Sequence, residues 1–94
     1  MSNFLKEMIQ KKLSQLSADE LLHYAGQYGF SLDAREAQQI VMYVKQNNVD
    51  PFSANGREKM LRELAKITDI QTAKKAQKLF NELIQSYGLS HLFE

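Results

Sequence analysis

The residues best suited to acid–base or metal chemistry in this sequence are His23 and the neighbouring carboxylates of Asp19 and Glu20. Asp19 precedes His23 by four residues, so on a helix an imidazole and a carboxylate share one face. A metal site usually needs three or four ligands with orienting partners, and the second histidine, His91, lies near the C-terminus. We therefore predict no metal site and place His23 on a solvated helix face.

Nucleophilic and nucleotide chemistry have equally little support in the sequence. The serines between positions 14 and 86 lie at predicted helix ends or in polar surroundings, and no Gly-x-Ser-x-Gly elbow accompanies them. The glycines are too scattered to form a phosphate-binding loop. Because the chain has no cysteine, thiolate catalysis, disulfides and cysteine-based metal sites are excluded. The sequence predicts no catalytic residue and no cofactor, and we expect the protein not to be an enzyme.

One short pattern is typical of a DNA-binding helix-turn-helix. Ala25 and Gly29 match its Ala-x-x-x-Gly turn, and a predicted helix follows closely. However, Arg35 stands six positions after the glycine, where the motif expects an apolar residue. The helix that would read the bases also begins with Asp33 and Glu36, which repel phosphate. We therefore favour helix packing as the interpretation of this pattern.

Two groups of lysines leave nucleic-acid binding open as an alternative. They lie on the first and fifth predicted helices, and they could form one patch if these helices are neighbours: Lys11 and Lys12, and Lys74, Lys75 and Lys78. The formal net charge of only +1 gives no overall field that would attract phosphate. A solvated helix face is the more ordinary explanation for each group, so nucleic acid is a possible partner but not the favoured one.

Composition favours a small folded domain. The 94 residues are of single-domain size, and an apolar content of 44% with 24% charged residues argues against disorder. The N-terminal residues do not resemble a secretion signal, and the longest apolar run, residues 40–44, is too short to cross a bilayer. We expect no membrane partner and a cytoplasmic location, which also suits the lack of cysteine.

The pattern of apolar residues predicts an all-α protein. Proline occurs once, at Pro51, and apolar residues recur at spacings of three and four. The predicted fold is a compact bundle of about five short helices in a single domain, residues 1–94. The helices are expected at residues 3–15, 18–28, 34–47, 54–67 and 69–87, with an apolar tail at 89–94. Residues 49–56, which contain the proline and a glycine, form the one predicted hinge or exposed loop.

Local signals mark where these helices begin and end. Capping boxes are predicted at three starts: Ser17 with Glu20, Asp33 with Glu36, and Thr68 with Gln71. Gly29 and Gly88, each followed by an apolar residue, are predicted to close the second and fifth helices in a left-handed conformation. The sequence thus sets the element boundaries locally.

Two features indicate contact with another polypeptide. Gly26 lies inside a predicted helix, where glycine costs on the order of 1 kcal/mol relative to alanine, and close approach of another helix would explain it. The tail carries Leu89, Leu92 and Phe93, where a chain end usually becomes polar. We expect these apolar residues either to fold back onto the domain or to anchor a partner.

Three segments resemble the YqfT-like family of Bacillaceae. They are Glu-Leu-Leu-His-Tyr-Ala at residues 20–25, Arg-Glu-Leu-Ala-Lys-Ile-Thr-Asp at 62–69, and Ala-Gln-Lys-Leu-Phe at 76–80. The resemblance covers most of the chain. It implies a small cytoplasmic helical protein, and it transfers no functional residue.

The leading functional hypothesis is therefore a non-enzymatic interaction module that binds another protein or itself. Small size, missing chemistry and more apolar helix surface than five short helices need all favour it. The alternative is a nucleic-acid accessory protein that uses the lysines of the first and fifth helices.

Overall fold

A computed structural model describes residues 2–47 and 49–92, with side chains from Phe4 onward. It confirms the predicted all-α fold: those residues form five α-helices and no strand. The helices are α1 (Ser2–Ser14), α2 (Ala18–Gln27), α3 (Ala34–Asn47), α4 (Ala54–Ile67) and α5 (Ile70–Ser86), followed by a short 3-10 helix (Ser90–Leu92). These bounds differ from the predicted ones by at most one residue at either end.

Two capping boxes begin helices as predicted. The Glu20 amide donates to the Ser17 hydroxyl oxygen and the Ser17 amide donates to the Glu20 carboxylate, both at 3.1 Å. At α3 the Glu36 amide donates to the Asp33 carboxylate at 2.7 Å, and the Asp33 amide donates to the Glu36 carboxylate at 3.0 Å. Each pair satisfies two backbone N–H groups that a helix start leaves without a partner.

Two glycine-ended helices close in the same way. Gly29, at φ 81°, lets the Phe30 amide donate to the Ala25 carbonyl at 2.8 Å. Gly88, at φ 64°, likewise lets the Leu89 amide donate to the carbonyl five residues earlier at 2.9 Å. These are Schellman ends, which favour glycine because its φ is positive. The Ala-x-x-x-Gly pattern therefore has a structural explanation as a helix end.

The predicted start of α5 at Thr68 is wrong by one residue. The Thr68 hydroxyl donates to the Leu64 carbonyl at 2.6 Å and so closes α4. Asp69 caps α5 instead, because its carboxylate accepts from the Thr72 amide at 2.6 Å. This hydrogen bond, with further help from the Thr72 hydroxyl and the Gln71 amide, lowers the pKa of Asp69.

The predicted hinge at residues 49–56 is in fact a packed connection. Pro51 and Phe52 are buried, and the Arg57 guanidinium donates to both of their carbonyls, at 3.0 and 3.1 Å. The Phe52 amide donates to the Asp50 carboxylate at 3.0 Å. A side chain at Gly56 would meet the Asp50 carbonyl oxygen at 1.9 Å, so the backbone approaches this glycine too closely for any other residue. Proline and glycine here serve packing rather than an open loop.

The helices pack mainly against their neighbours in sequence. α2 lies against α3 and α4 lies against α5, while α3 also contacts α1 and α4. Most of the buried apolar residues lie on α3 or in its connection to α4: Ala37, Val41, Val44, Pro51 and Phe52. Ala25 of α2 and Leu92 of the 3-10 helix are also buried. No described residue of α4 or α5 is buried. Within residues 2–47 and 49–92, no helix is long and apolar enough to span a membrane.

Candidate protein-binding groove

A large apolar groove lies between the α2–α3 pair and the α4–α5 pair. Its volume is about 1130 Å³, and all five helices contribute to its walls. The apolar stripes of α4 and α5 face it, which explains why neither helix has a buried residue. The main lining residues of these two helices are Met60, Leu61, Leu64, Ile67, Ala76, Leu79, Phe80, Leu83 and Ile84. Opposite them are Leu21, Ala25, Phe30, Leu32, Ile40 and Val44, with Ile9 and Leu13 of α1 at one side.

All four tyrosines of the chain line this groove. Tyr24 and Tyr28 lie one turn apart on α2, Tyr43 comes from α3, and Tyr87 follows α5. Tyr24, Tyr28 and Tyr87 are exposed, and Tyr43 is partly buried. Tyrosine offers a large apolar ring with a polar tip and is enriched at protein interfaces. The groove therefore has the side-chain chemistry of a binding surface rather than of a closed core.

The charged residues along the groove are balanced. The Arg62 guanidinium pairs with Glu58 at 2.6 Å, and both side chains are exposed. Glu63 lies 3.9 Å from the Lys66 ammonium. Arg57 is engaged with the α3–α4 connection. Two arginines and two glutamates line the groove, so it is neither strongly acidic nor strongly basic.

One lysine bridges the two helix pairs at the end of the groove. The Lys75 ammonium of α5 donates to the Gly29 carbonyl and lies 5.0 Å from the centre of the Phe30 ring. A cation over an aromatic face is attracted by the negative charge of the ring, and the carbonyl adds a hydrogen bond. Because the Schellman turn presents both groups on the same side, Lys75 links α5 to the end of α2.

The two lysine groups are carried by helices that have different packing partners. Lys11 and Lys12 occupy the last turn of α1, which packs against α3. Lys74, Lys75 and Lys78 lie on α5, which packs against α4. Since Lys75 is also engaged with Gly29, one of the five cations already has a partner within the chain. The main packing partners of α1 and α5 thus differ, and the joining of the two lysine groups into one patch stays a prediction.

The residues predicted to touch a partner are found in different surroundings. Gly26 is exposed, and no described residue comes within 4 Å of a Cβ built there, so packing within the described part of the chain does not explain this glycine. Leu89 lines the groove, whereas Leu92 is only 3% exposed and packs into the domain. A partner therefore cannot reach the Leu92 side chain in this conformation. Phe93 lies outside the described residues.

The histidine considered for chemistry takes part in simple surface contacts. His23 is exposed, its Nε2 lies 3.2 Å from the Gln27 amide nitrogen, and its ring meets Tyr24 edge-on at 5.7 Å. Among the described residues, no group of three or more histidine, aspartate or glutamate side chains could hold a metal ion.

The groove could not be recognised in the sequence. Helical periodicity identified the inner face of each helix but not the distance between those faces. The one sequence feature that pointed to an open apolar surface was the large amount of apolar helix surface for a chain of this length. The tyrosines are spread along the sequence, so their positions did not indicate that they line one groove. Their convergence depends on how the α2–α3 and α4–α5 pairs are set against each other.

Comparisons with known proteins place the chain in a family. A family model described as "Protein of unknown function (DUF2624)" matches residues 1–84. "Uncharacterized protein YqfT" of Bacillus subtilis (strain 168) is 32% identical over 77 residues, which cover 82% of this chain and 92% of that protein. No solved structure matches the chain significantly. The chain therefore belongs to the DUF2624 family and is a YqfT-like protein, as the three resembling segments indicated.

Proposed function

We propose that this protein is a non-enzymatic interaction module of the cytoplasm, and that its groove binds a helix of another protein or of a second copy. The observation that carries the proposal is that Tyr24, Tyr28, Tyr43 and Tyr87 all line one open apolar groove. Aromatic residues in such a position commonly supply most of the binding energy of an interface.

The size of the groove favours a polypeptide over a small molecule. Small-molecule sites usually measure about 300 to 1,000 Å³, and this groove, at about 1130 Å³, is larger and open. The groove is open and is lined by residues from all five helices, which suits a polypeptide surface such as a helix.

Electrostatics also favours a protein partner over nucleic acid. The groove carries Arg57 and Arg62 together with Glu58 and Glu63, so its charged lining is balanced. A nucleic-acid site would be expected to concentrate positive charge, because phosphate contacts dominate that affinity. The lysine alternative has less support than the groove.

Photo-crosslinking tests this function even when the partner is unidentified. Benzoylphenylalanine is introduced in place of Tyr28 in the groove and, as a matched control, in place of Gln38, which is exposed on α3 and outside the groove. After irradiation in cells of the organism that encodes this protein, we expect a discrete protein adduct at position 28 and none at position 38. Equal labelling at both positions, or no adduct at either, would contradict an interaction through the groove.

A further inference from the structure

We infer that Lys75 is a latch that sets how far the groove opens. While its ammonium is bound to the turn that ends α2, the α2–α3 pair and the α4–α5 pair keep the separation described above. When the ammonium leaves that turn, the two pairs part and the groove widens. The latch regulates the groove of the proposed function and rests on that proposal, but it acts within the chain and needs no ligand.

The chain itself joins the two pairs at one end of the groove. There the connection between α3 and α4 is packed, because Phe52 is buried and the Arg57 guanidinium donates to its carbonyl at 3.1 Å. The other end lies about 21 Å away, since α3 and α4 have 14 residues each and a helix rises about 1.5 Å per residue. A rotation of about 10° at the anchored end therefore moves the far end by about 4 Å.

Little helix packing holds the two pairs together at the far end. Lys75 lies in the second turn of α5, shortly after α4 ends, and Gly29 follows α2 shortly before α3 begins. α2 packs mainly on α3 and α5 packs mainly on α4, so packing between α2 and α5 is sparse among the described residues. The hydrogen bond from the Lys75 ammonium to the Gly29 carbonyl spans this gap. A side-chain contact thus links the two pairs where their helices barely touch.

The chemistry of this link makes it reversible. The Lys75 ammonium is bound by two neutral groups, the Gly29 carbonyl and the Phe30 ring, whose centre lies 5.0 Å away. Neither group neutralises the charge, and the lysine side chain is exposed, so water can replace both contacts. A cation over an aromatic ring is attracted only weakly at such an exposed site. The contact can therefore break and re-form without unfolding any helix.

Phe30 couples the latch to the groove. Its ring lines the groove and is also the ring that the Lys75 ammonium approaches. The Schellman turn, with Gly29 at φ 81°, presents the carbonyl and the ring on the same side. The approach is close, because a Cβ built on Gly29 would lie 3.3 Å from the Lys75 Nζ atom. The state of Lys75 therefore affects both the separation of the two pairs and the position of one wall residue.

Distances between two spin labels on the purified full-length chain test the latch. The chain has no cysteine, so labels attach only to introduced ones. Gln38→Cys on α3 and Gln71→Cys on α5 replace exposed residues outside the groove and report its far end. Lys75→Met removes the charge and keeps an unbranched apolar stem. We expect it to raise the fraction of long distances at least about threefold, as loss of an exposed cation–π contact gives.

Two further variants and a second label pair distinguish a latch from a loosened fold. Lys75→Arg keeps a cation that can meet the ring and the carbonyl, so it should keep the wild-type distances. Lys74→Met removes the neighbouring exposed charge and should also leave them unchanged. Labels at Gln46→Cys and Lys59→Cys report the anchored end, where no variant should change the distance. Circular dichroism should show unchanged helix in every variant, since each replaced side chain is exposed.

Three results would overturn the latch. The first is that Lys75→Met leaves the distances at the far end unchanged or shortens them. The second is that Lys74→Met lengthens these distances as much as Lys75→Met does. The third is that the labels at the anchored end separate equally, because the substitution would then have loosened the whole fold.

Crosslinking at position 28 separates the latch from the proposed function. An occupant binds only those chains whose groove is wide enough, so an open fraction about threefold larger should raise the adduct yield of Lys75→Met about threefold. If an adduct forms but its yield does not change while the distances lengthen, the latch does not regulate the groove and the inference is overturned. An adduct with no change in distance supports the proposed function and overturns the latch. Longer distances with no adduct in either chain support the latch and contradict the proposed function.

Discussion

The region around α3 and the α4–α5 pair are both built from amphipathic helices, yet their apolar faces differ greatly in how far the rest of the chain buries them. α3 buries Ala37, Val41 and Val44, and the connection after it buries Phe52. The described residues of α4 and α5 include none that is buried, although their apolar stripes are just as regular. Periodicity therefore shows which face of a helix is apolar, but not whether that face is covered by the same chain. An apolar face that its own chain leaves open is available to a partner.

The largest expected effect contrasts one phenylalanine from each region. Phe52 is 4% exposed, so Phe52→Ala should lower the free energy of unfolding by about 3 to 5 kcal/mol. Phe80 is only partly buried and lines the groove, so Phe80→Ala should cost about 1 to 2 kcal/mol at dilute protein. Urea titration of both variants measures the difference. Equal losses would mean that the groove is a closed core.

The structure also revises the expectation for groove residues that look like core in the sequence. Sequence periodicity alone predicts losses of about 2 to 5 kcal/mol for Leu64→Ala and Phe80→Ala. Both side chains line the groove and remain partly exposed, which favours the lower end of that range or less. If a second copy fills the groove, the loss should grow with protein concentration.

A substitution at Gly56 tests whether the connection between α3 and α4 is tightly packed. Gly56→Ala should lower the free energy of unfolding by about 2 to 3 kcal/mol, because the new methyl group would overlap the Asp50 carbonyl. The thermal midpoint measured by circular dichroism reports the change. A variant with unchanged stability would show that this connection is as loose as its proline and glycine suggested.

The matched glycine substitution should have the opposite sign. Gly26→Ala should raise the free energy of unfolding by about 0.5 to 1 kcal/mol, since alanine is the better helix former and nothing lies within 4 Å of its Cβ. Thermal unfolding at dilute protein measures this gain. A loss of stability would reveal a close neighbour of Gly26, such as another polypeptide.

The smallest expected effect concerns the exposed cap between α4 and α5. Hydrogen bonds from Thr72 lower the folded-state pKa of Asp69, so the charged cap stabilises the fold above the ordinary carboxyl pKa. This contribution is lost as the pH falls through the lowered pKa. Asp69→Asn keeps an acceptor without a titrating charge. The wild-type advantage in thermal midpoint over this variant should be present at neutral pH and vanish in acid; a constant difference would contradict the assignment.

Local chemistry made most of the fold predictable. Ser17, Asp33, Gly29 and Gly88 act within five residues of themselves, so their roles could be inferred without the tertiary structure. Thr68 could have capped α5 on sequence grounds, but its hydroxyl bonds back to α4. Asp69 rather than Thr68 caps α5 because of the backbone geometry between the two helices, and the sequence pattern does not specify that geometry.

The features of the structure that the sequence did not predict depend on contacts between residues far apart in the chain. Phe52 is buried because α1 and the start of α4 close around its connection, and nothing in its local sequence distinguishes it from an exposed loop residue. The link from Lys75 to Gly29 spans 46 positions, and no spacing rule connects them. The candidate groove also depends on contacts between distant residues, which is why it could not be inferred from the sequence.

The pairing of each helix with its sequence neighbour has a consequence for folding speed. The α2–α3 and α4–α5 pairs are each closed by a connection of only a few residues, so little chain entropy is lost in forming either pair. Chains dominated by such short-range contacts fold in microseconds to milliseconds. The two hairpins should therefore form early and independently, and the step that sets them against each other, through contacts such as Lys75 with Gly29, should be the slower and final event.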